Sequence, residues 1–142
     1  HMEKQVIDDK IKELFISSRV IALVGASKKK EKDSNIVMKF LQKSGYKVIP
    51  VNPTCTNDTI NGERVYGSLL DIKEKVDIVD VFRPSEEAID IANQTKEIGA
   101  HVLWLQLNIE NDKAKKIAIK NKIYYIANKC TKIEFKKLFG II

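Results

Sequence analysis

The feature that most constrains the fold is an alternation of short apolar runs with longer amphipathic stretches along the chain. The first run, Val20–Val24, is apolar at every position and is followed directly by Gly25. A strand that is apolar on both faces is typical of a parallel sheet covered by helices on both sides. The alternation therefore predicts an α/β fold: a Rossmann-like, doubly wound, mainly parallel five-stranded sheet with helices on both faces.

The same patterns place the individual elements. Strands are predicted at residues 20–24, 47–51, 76–82, 101–105 and 123–126. Helices are predicted at residues 3–17, 34–44, 85–98, 110–120 and 131–139, from apolar spacing, capping residues and terminating glycines. The elements leave no linker, so residues 1–142 are expected to form a single domain.

Three details of these elements are predicted at the level of individual residues. The second helix is expected to begin at Ser34 and Asn35 as N-caps, and to direct inward Ile36, Val37, Phe40 and Leu41. Pro50 lacks an amide donor, so its strand is expected to leave that position outside the hydrogen-bonded ladder. The amphipathic first helix, with Val6, Ile7, Ile11, Leu14 and Phe15 at helical spacing, must cover apolar surface. The sequence leaves open whether this stripe packs within the chain or against a second copy in a homodimer.

The ends of the chain and its cysteines indicate its environment. The pair His1-Met2 is interpreted as an expression remnant, because a histidine precedes the methionine. No apolar run approaches the roughly 20 residues of a membrane helix, so no membrane partner is expected. Cys55 and Cys130 are isolated, which predicts neither a disulfide framework nor a metal site. A reducing, cytoplasmic location is expected.

The chain is basic, with 25 Lys and Arg against 19 Asp and Glu and a formal net charge of +6. The excess lies mainly at residues 28–30 and in the lysine-rich stretch from Lys113 onward. Solvated helix faces explain much of it, although a polyanionic partner is also compatible. Aromatic residues are few and do not alternate with basic ones, which argues against nucleic acid stacked on an aromatic platform.

In a doubly wound sheet, ligands bind beyond the carboxyl ends of the strands, near the point where the strand order reverses. This rule selects the loops at residues 25–33, 52–61, 83–84 and 106–108. The first loop combines Gly25, the hydroxyl of Ser27 and three consecutive lysines, and it leads into a helix N-terminus. Such a loop is suited to a phosphate.

A nicotinamide or flavin dinucleotide does not fit this loop well. The second and third glycines of the dinucleotide fingerprint are replaced by Ser27 and Lys30, and Asn52 stands where an acidic residue would hold the ribose. The Walker pattern is also absent, because G-A-S-K-K-K does not supply G-K-[ST] at the required spacing.

Five segments in order suggest a family. They are V-G-A-S-K at residues 24–28, G-Y-K-V-I-P-V-N-P at 45–53, G-E-R-V-Y-G-S-L at 62–69, V-D-I-V-D-V-F-R at 76–83 and V-L-W-L-Q at 102–106. With Ser34 after the basic loop, they resemble the small standalone CoA-binding proteins. That family is similar to the CoA-binding domain of the succinyl-CoA synthetase α subunit.

The resemblance implies coenzyme A, or an acyl-CoA, as the ligand and gives each part of it a set of contacts. The pyrophosphate would lie on Gly25, Ala26, Ser27 and Lys28, with Ser34 beside it. The adenine and ribose would pass Val51, Asn52, Pro53, Phe82, Arg83 and Pro84, with Arg83 or a loop lysine on the 3′-phosphate. The pantetheine exit would be flanked by Trp104, Gln106 and Asn108, and Cys130 matches a cysteine that the family often has before its last helix.

The chain departs from the family pattern at two places. Asn108 replaces a glycine that usually follows the W-x-Q-x segment, which puts a side chain into the predicted groove. The basic loop reads K-E-K-D-S, where relatives tend to have an arginine before the serine, so weaker phosphate contacts are expected.

No catalytic constellation is found. His101 has no partner at recognisable spacing, and Asp77 and Asp80 are expected on opposite faces of their strand, with Asp80 as an internal hydrogen-bond acceptor. The leading hypothesis is a CoA-binding module without catalysis of its own. The alternatives are an enzyme acting on a nucleotide or CoA thioester through Cys130 or a loop lysine, an NAD(P)-binding protein, and an adaptor for nucleic acid or protein.

Overall fold

The computed structural model describes residues 2–142, so His1 of the predicted expression remnant lies outside the described residues. In chain order the elements are α1 Met2–Ser17, β1 Val20–Val24, α2 Asp33–Lys43, β2 Lys47–Val51, β3 Thr59–Ile60, β4 Glu63–Arg64, β5 Ile78–Val81, α3 Ala88–Glu97, β6 Val102–Leu105, α4 Asp112–Lys120, β7 Tyr124–Ile126 and α5 Thr131–Leu138. Two 3₁₀ turns lie at Leu69–Asp71 and Ser85–Glu87. Among these described helices, none has the length and apolar character needed to cross a membrane.

The main sheet has five parallel strands in the order β2-β1-β5-β6-β7. From β1 the chain goes to β2 on one side and later to β5 on the other, so the strand order reverses beside β1. This confirms the predicted Rossmann-like fold. It also places the switch point of the sheet between β1 and β5, where the carboxyl ends of both strands open into the same crevice.

The two faces of the sheet form two separate cores, because successive strand residues point to opposite sides. Ile21 and Leu23 of β1 face a core closed by α1, α2 and α5, whereas Ala22 faces a core closed by α3 and α4. The first core contains the aromatic cluster around Phe15, which packs on Trp104 with ring centroids 5.4 Å apart. Helices therefore cover both faces and leave the strand ends free.

The start of α2 differs from the prediction. The N-cap is Lys32, and its side chain makes no capping hydrogen bond; Ser34 and Asn35 lie inside the first turn and are buried. Ile36 is 40% exposed, so its predicted inward direction is wrong. Val37 and Leu41 are buried as expected. The Asn35 side chain instead points into the protein, where its amide donates to the Ser27 carbonyl of the first loop at 2.7 Å.

Helix α1 is apolar on the predicted stripe, but only its second half is covered. Ile11 and Phe15 are buried against α5 and the sheet, whereas Val6 is 66% exposed and Ile7 is 44% exposed. The helix therefore covers apolar surface as predicted through Ile11 and Phe15, whereas Val6 and Ile7 of the same stripe are left uncovered by the described residues of this chain.

A short antiparallel hairpin, β3–β4, was missed from the sequence. Its turn is Asn61-Gly62, with φ angles of 49° and 82°. Two consecutive residues with positive φ are characteristic of a type I′ turn, for which Asn-Gly is a preferred sequence. The dipeptide was the signal that could have revealed the hairpin.

Strand β2 forms one edge of the sheet, as expected for a strand that contains proline. Pro50 pairs with Leu23 of β1 in register, and its carbonyl oxygen faces outward, where it accepts a hydrogen bond from the Tyr66 amide at 3.0 Å. The missing amide donor of Pro50 therefore costs the ladder no hydrogen bond, which confirms the prediction for this residue.

Candidate functional site

A crevice of about 860 Å³ opens at the carboxyl ends of β1, β2 and β5. This is the position predicted for a ligand in a doubly wound sheet. Of the residues predicted to contact a ligand, ten line it: Gly25, Ala26, Ser27, Lys28, Ser34, Val51, Asn52, Pro53, Phe82 and Arg83. The volume suits a small organic ligand, since such sites typically measure about 300–1,000 Å³.

Gly25 makes the sharp turn that leads from β1 into the crevice. Its φ is +90°, and a Cβ atom built on it would lie 2.8 Å from the carbonyl oxygen of Phe82. The backbone amides of Gly25 and Ala26 both donate to the Val51 carbonyl, at 3.0 and 3.3 Å. The turn is thus held between β2 and the loop after β5, in a space that admits only glycine.

Two asparagine side chains hold the loop after β1 from below. The Asn52 amide donates to the Ala26 carbonyl at 2.8 Å, and the Asn35 amide donates to the Ser27 carbonyl at 2.7 Å. Asn35 is only 2% exposed, and it accepts a hydrogen bond from Asn61 at 3.3 Å. The carbonyl groups of Ala26 and Ser27 are thus bound to side chains of the protein. The residues of this loop still line the crevice.

We expect Asn52→Ala to weaken ligand binding, because Asn52 holds the loop after β1 in place through its hydrogen bond to Ala26. The change leaves the Ala26 carbonyl without its donor and removes the acceptor for Thr54, whose amide donates to Asn52 at 2.8 Å. The free energy of unfolding should fall by about 1–2 kcal/mol. Ligand affinity should fall roughly tenfold, equivalent to about 1.4 kcal/mol.

Calorimetry on the variant and denaturant unfolding would measure both effects. A matched control is Asn121→Ala, which removes a 2.8 Å amide-to-carbonyl bond to Ile117 at the end of α4. Equal affinity in the two variants would show that the support of the loop does not matter for binding.

Two cations in the crevice are paired with carboxylates. Lys28 Nζ lies 2.6 Å from Asp58 Oδ2, and Arg83 binds Glu87 through two hydrogen bonds of 3.1 and 2.6 Å. The hydrogen bond to Asp58 raises the pKa of Lys28, and the one to Arg83 lowers the pKa of Glu87. All four residues of the two pairs line the crevice.

Further basic residues come from the loop before α2. Lys29 and Lys32 line the crevice together with the first residues of the helix, Asp33 and Ser34. The amides at a helix N-terminus carry partial positive charge and attract anions. This end of the crevice is consequently suited to a phosphorylated ligand.

One wall of the crevice, formed by α3 and by the segment that leads into the 3₁₀ turn at Leu69–Asp71, was not predicted from the sequence. Its residues are Gly67, Ser68, Leu69, Asp90, Ile91 and Gln94. Ser68 donates to Gln94 at 3.3 Å, and Gln94 donates to Asp90 at 2.9 Å. Ser68 lies in the family-like segment at residues 62–69, and that segment is the signal in the sequence that points to it. The spacing of Asp90, Ile91 and Gln94 indicates that they share one face of a helix. It does not indicate that this face lines the crevice.

Five predicted contacts lie outside the lining of the crevice: Pro84, Trp104, Gln106, Asn108 and Cys130. Trp104 is 1% exposed and donates from its indole nitrogen to the Lys129 carbonyl at 2.8 Å, so its predicted place beside the ligand is corrected to the core. Asn108 has a positive φ of 68°, and its backbone amide donates to the Asn128 side chain on the side of β7. Strand β6 is separated from β1 by β5, which explains the displacement of Trp104, Gln106 and Asn108. Cys130 follows β7, which lies one strand further away.

A buried polar cluster joins the end of β5 to the start of α5. Gln106 Nε2 donates to Asp80 and to Thr131, and the Thr131 hydroxyl donates to Asp80 at 2.9 Å. Asp80 has no exposed surface, and burial raises its pKa from 3.8 to about 7. Its predicted role as an internal acceptor is confirmed. Gln106 is therefore occupied within the protein and not directed at the crevice.

The described residues offer little for covalent or metal chemistry. Cys130 precedes α5 and is half-buried, and burial raises the pKa of its thiol, which disfavours the nucleophilic thiolate. Within residues 2–142 no three or more His, Cys, Asp and Glu side chains are grouped so as to hold a metal ion. The arrangement is that of a basic crevice with hydrogen-bonding walls, suited to a phosphorylated ligand.

Comparison with known proteins agrees with this geometry. A family model described as "CoA binding domain" matches residues 19–136. The uncharacterized protein YneT of Bacillus subtilis is 37% identical over 123 residues, covering 87% of this chain and 90% of YneT. A hypothetical protein of Pyrococcus horikoshii has a structure with a TM-score of 0.89 and 40% identity, covering 94% of this chain and 92% of that one. A Thermus thermophilus structure also has a TM-score of 0.89, with 33% identity over 93% and 98% of the two chains.

Proposed function

Because the chain belongs to the CoA binding domain family, we propose that it binds coenzyme A or an acyl-CoA in the crevice, without catalysis of its own. The match of the family model to residues 19–136 confirms the family resemblance that the sequence motifs indicate. The observation that carries the proposal is the position of the glycine turn, the basic loop and the start of α2 around one crevice at the switch point.

The diphosphate lies on the loop after β1. Gly25 brings the backbone close, Lys28 and Lys32 supply positive charge, and the first turn of α2 directs amide groups toward the phosphates. The held carbonyls of Ala26 and Ser27 keep the negative ends of the peptide dipoles away from the ligand. These features favour a diphosphate over an uncharged group at this position.

The rest of the ligand extends along the walls on either side. The adenine and ribose pass the Asn52-Pro53 loop and Phe82, and Arg83 contacts the 3′-phosphate as a fork of donors. Uncharged parts of the ligand lie against the wall that contains Leu69 and Ile91, where apolar and hydrogen-bonding groups alternate. A crevice of about 860 Å³ accommodates such an extended molecule.

The absence of catalysis is part of the proposal. Support comes from the raised pKa of Cys130 and from its position outside the crevice lining. The carboxyl group of Asp80, whose pKa is raised to about 7, makes its hydrogen bonds within the buried cluster. Acetyl-CoA and succinyl-CoA incubated with the protein should remain intact. Turnover that disappears in Cys130→Ala would contradict this part of the proposal.

Titration calorimetry with three ligands tests the binding itself. We expect CoA to bind more tightly than 3′-dephospho-CoA, because only CoA carries the phosphate for Arg83, and both to bind more tightly than NAD. A charge-assisted contact of about 1.5–3 kcal/mol predicts roughly a ten- to hundredfold loss on removal of the 3′-phosphate. No binding of CoA at millimolar concentration, or tightest binding of NAD, would overturn the proposed function.

A further inference from the structure

The carboxylates of the two ion pairs face the same space that the proposed ligand occupies. Asp58 and Glu87 both line the crevice, and each is bound to a cation that the proposed function assigns to a ligand phosphate. The two pairs lie on different sides: Lys28–Asp58 links the loops after β1 and β2, and Arg83–Glu87 links the loop after β5 to the turn before α3. Each proposed phosphate position therefore already contains a competing anion.

The surface carries a pair of the same type that has no relation to the crevice. Lys47 Nζ lies 2.9 Å from Glu74, with similar exposure of both side chains, at the amino end of β2. The crevice lies at the opposite, carboxyl end of that strand. The Lys47–Glu74 pair thus separates the effect of a surface charge from the effect of a carboxylate inside the site.

Resting on the proposed function, we propose that Asp58 and Glu87 set the affinity and specificity of the site by competing with ligand phosphates for Lys28 and Arg83. Asp58 competes with the diphosphate of the ligand for Lys28, and Glu87 competes with the 3′-phosphate for Arg83. Each phosphate must take over the hydrogen bonds that the carboxylate makes, and the displaced carboxylate must turn away into solvent. Both carboxylates are about half exposed, so this exchange needs no opening of the core.

The physical consequence is a site that discriminates by the number of anionic groups. A phosphate forms a charge-assisted hydrogen bond in place of the one it breaks, so its gain is lowered by the strength of the exposed ion pair that it displaces. A singly charged or misplaced anion gains nothing against the resident carboxylate and is repelled by it. Only a ligand with phosphates at both positions replaces both carboxylates.

The experiment removes each charge while keeping the hydrogen-bonding shape, with Asp58→Asn and Glu87→Gln, and measures CoA and 3′-dephospho-CoA by calorimetry. Asp58→Asn should tighten both ligands to the same extent, about two- to fivefold, which is the strength of an exposed ion pair. Glu87→Gln should tighten CoA by a similar factor and leave 3′-dephospho-CoA unchanged. The double variant should combine the two effects, because the pairs share no partner.

Glu74→Gln is the matched control, since it changes the net charge equally and breaks a similar pair outside the crevice. We expect it to change neither affinity by more than a small fraction. Weaker or unchanged CoA binding in both crevice variants, with wild-type binding intact, would overturn this inference and leave the proposed function standing. Absence of CoA binding by the wild-type protein would instead overturn the proposed function, and this inference with it.

Discussion

Replacement of Gly25 by alanine is expected to reduce CoA affinity about ten- to a hundredfold. The new Cβ atom would meet the Phe82 carbonyl oxygen at 2.8 Å, and the backbone already has a φ of +90° that alanine rarely adopts. Since the contact is with backbone, the loop after β1 must move. That movement costs the ligand one or more charge-assisted hydrogen bonds, about 1.5–3 kcal/mol, which corresponds to the stated range.

The chain offers a control with the same backbone conformation and no clash. Gly45, between α2 and β2, has a φ of +104°, and a Cβ built on it would meet nothing within 4 Å. Gly45→Ala should therefore lose stability by about 1–3 kcal/mol from backbone strain alone and retain wild-type affinity. Calorimetry with CoA on both folded variants distinguishes the two effects. Wild-type affinity in Gly25→Ala would contradict the role assigned to this turn.

The second large effect concerns the pH dependence of stability through Asp80. Its pKa is raised in the folded state, to about 7 from 3.8, so the folded protein binds this proton more tightly than the unfolded chain does. The contribution to stability is fully present below pH 4, and it is lost as the pH rises through 7. Because each tenfold difference in proton affinity corresponds to about 1.4 kcal/mol, the free energy of unfolding should fall by a few kcal/mol over that window.

Asp80→Asn should remove this slope, because asparagine reproduces the neutral acid: its oxygen accepts from Gln106 and its amide donates toward Thr131. We expect the variant to be more stable than the wild type at pH 8 and no more stable at pH 4. Urea unfolding between pH 4 and 8 measures the difference, with Asp71→Asn, an exposed change, as the control. Parallel pH profiles for wild type and Asp80→Asn would contradict the assignment.

The sequence was a good guide to the elements and to the half of the site that follows strand ends. Val20–Val24 and Lys47–Val51 are predicted at their observed bounds, because apolar runs bounded by glycine or proline have few other interpretations. The loops after them contain Gly25 and Asn52, which lie in the crevice because parallel strands end at one edge of the sheet.

The other half of the site depends on packing that a sequence does not display. Asp90 and Gln94 lie in the crevice only because α3 crosses the sheet with that face toward the loop after β1. The family resemblance implies Trp104 and Gln106 beside the ligand, at the end of their strand. Alternation along β6 instead places both on the face that also holds Leu23 and Asp80, against α5. Rules about strand ends locate the loops, but the strand's distance from the switch point decides which loops take part.

The arrangement at β2 bears on how the molecule avoids association through its sheet. An edge strand exposes unpaired backbone groups on which a strand of another molecule can add. Here Pro50 removes one outward donor, and Tyr66 occupies the neighbouring groups by bonding to Pro50 and Asn52. The opposite edge, Tyr124–Ile126, is only three residues long. Neither border of the sheet presents a continuous template, so the molecule is protected against strand addition and the aggregates to which it leads.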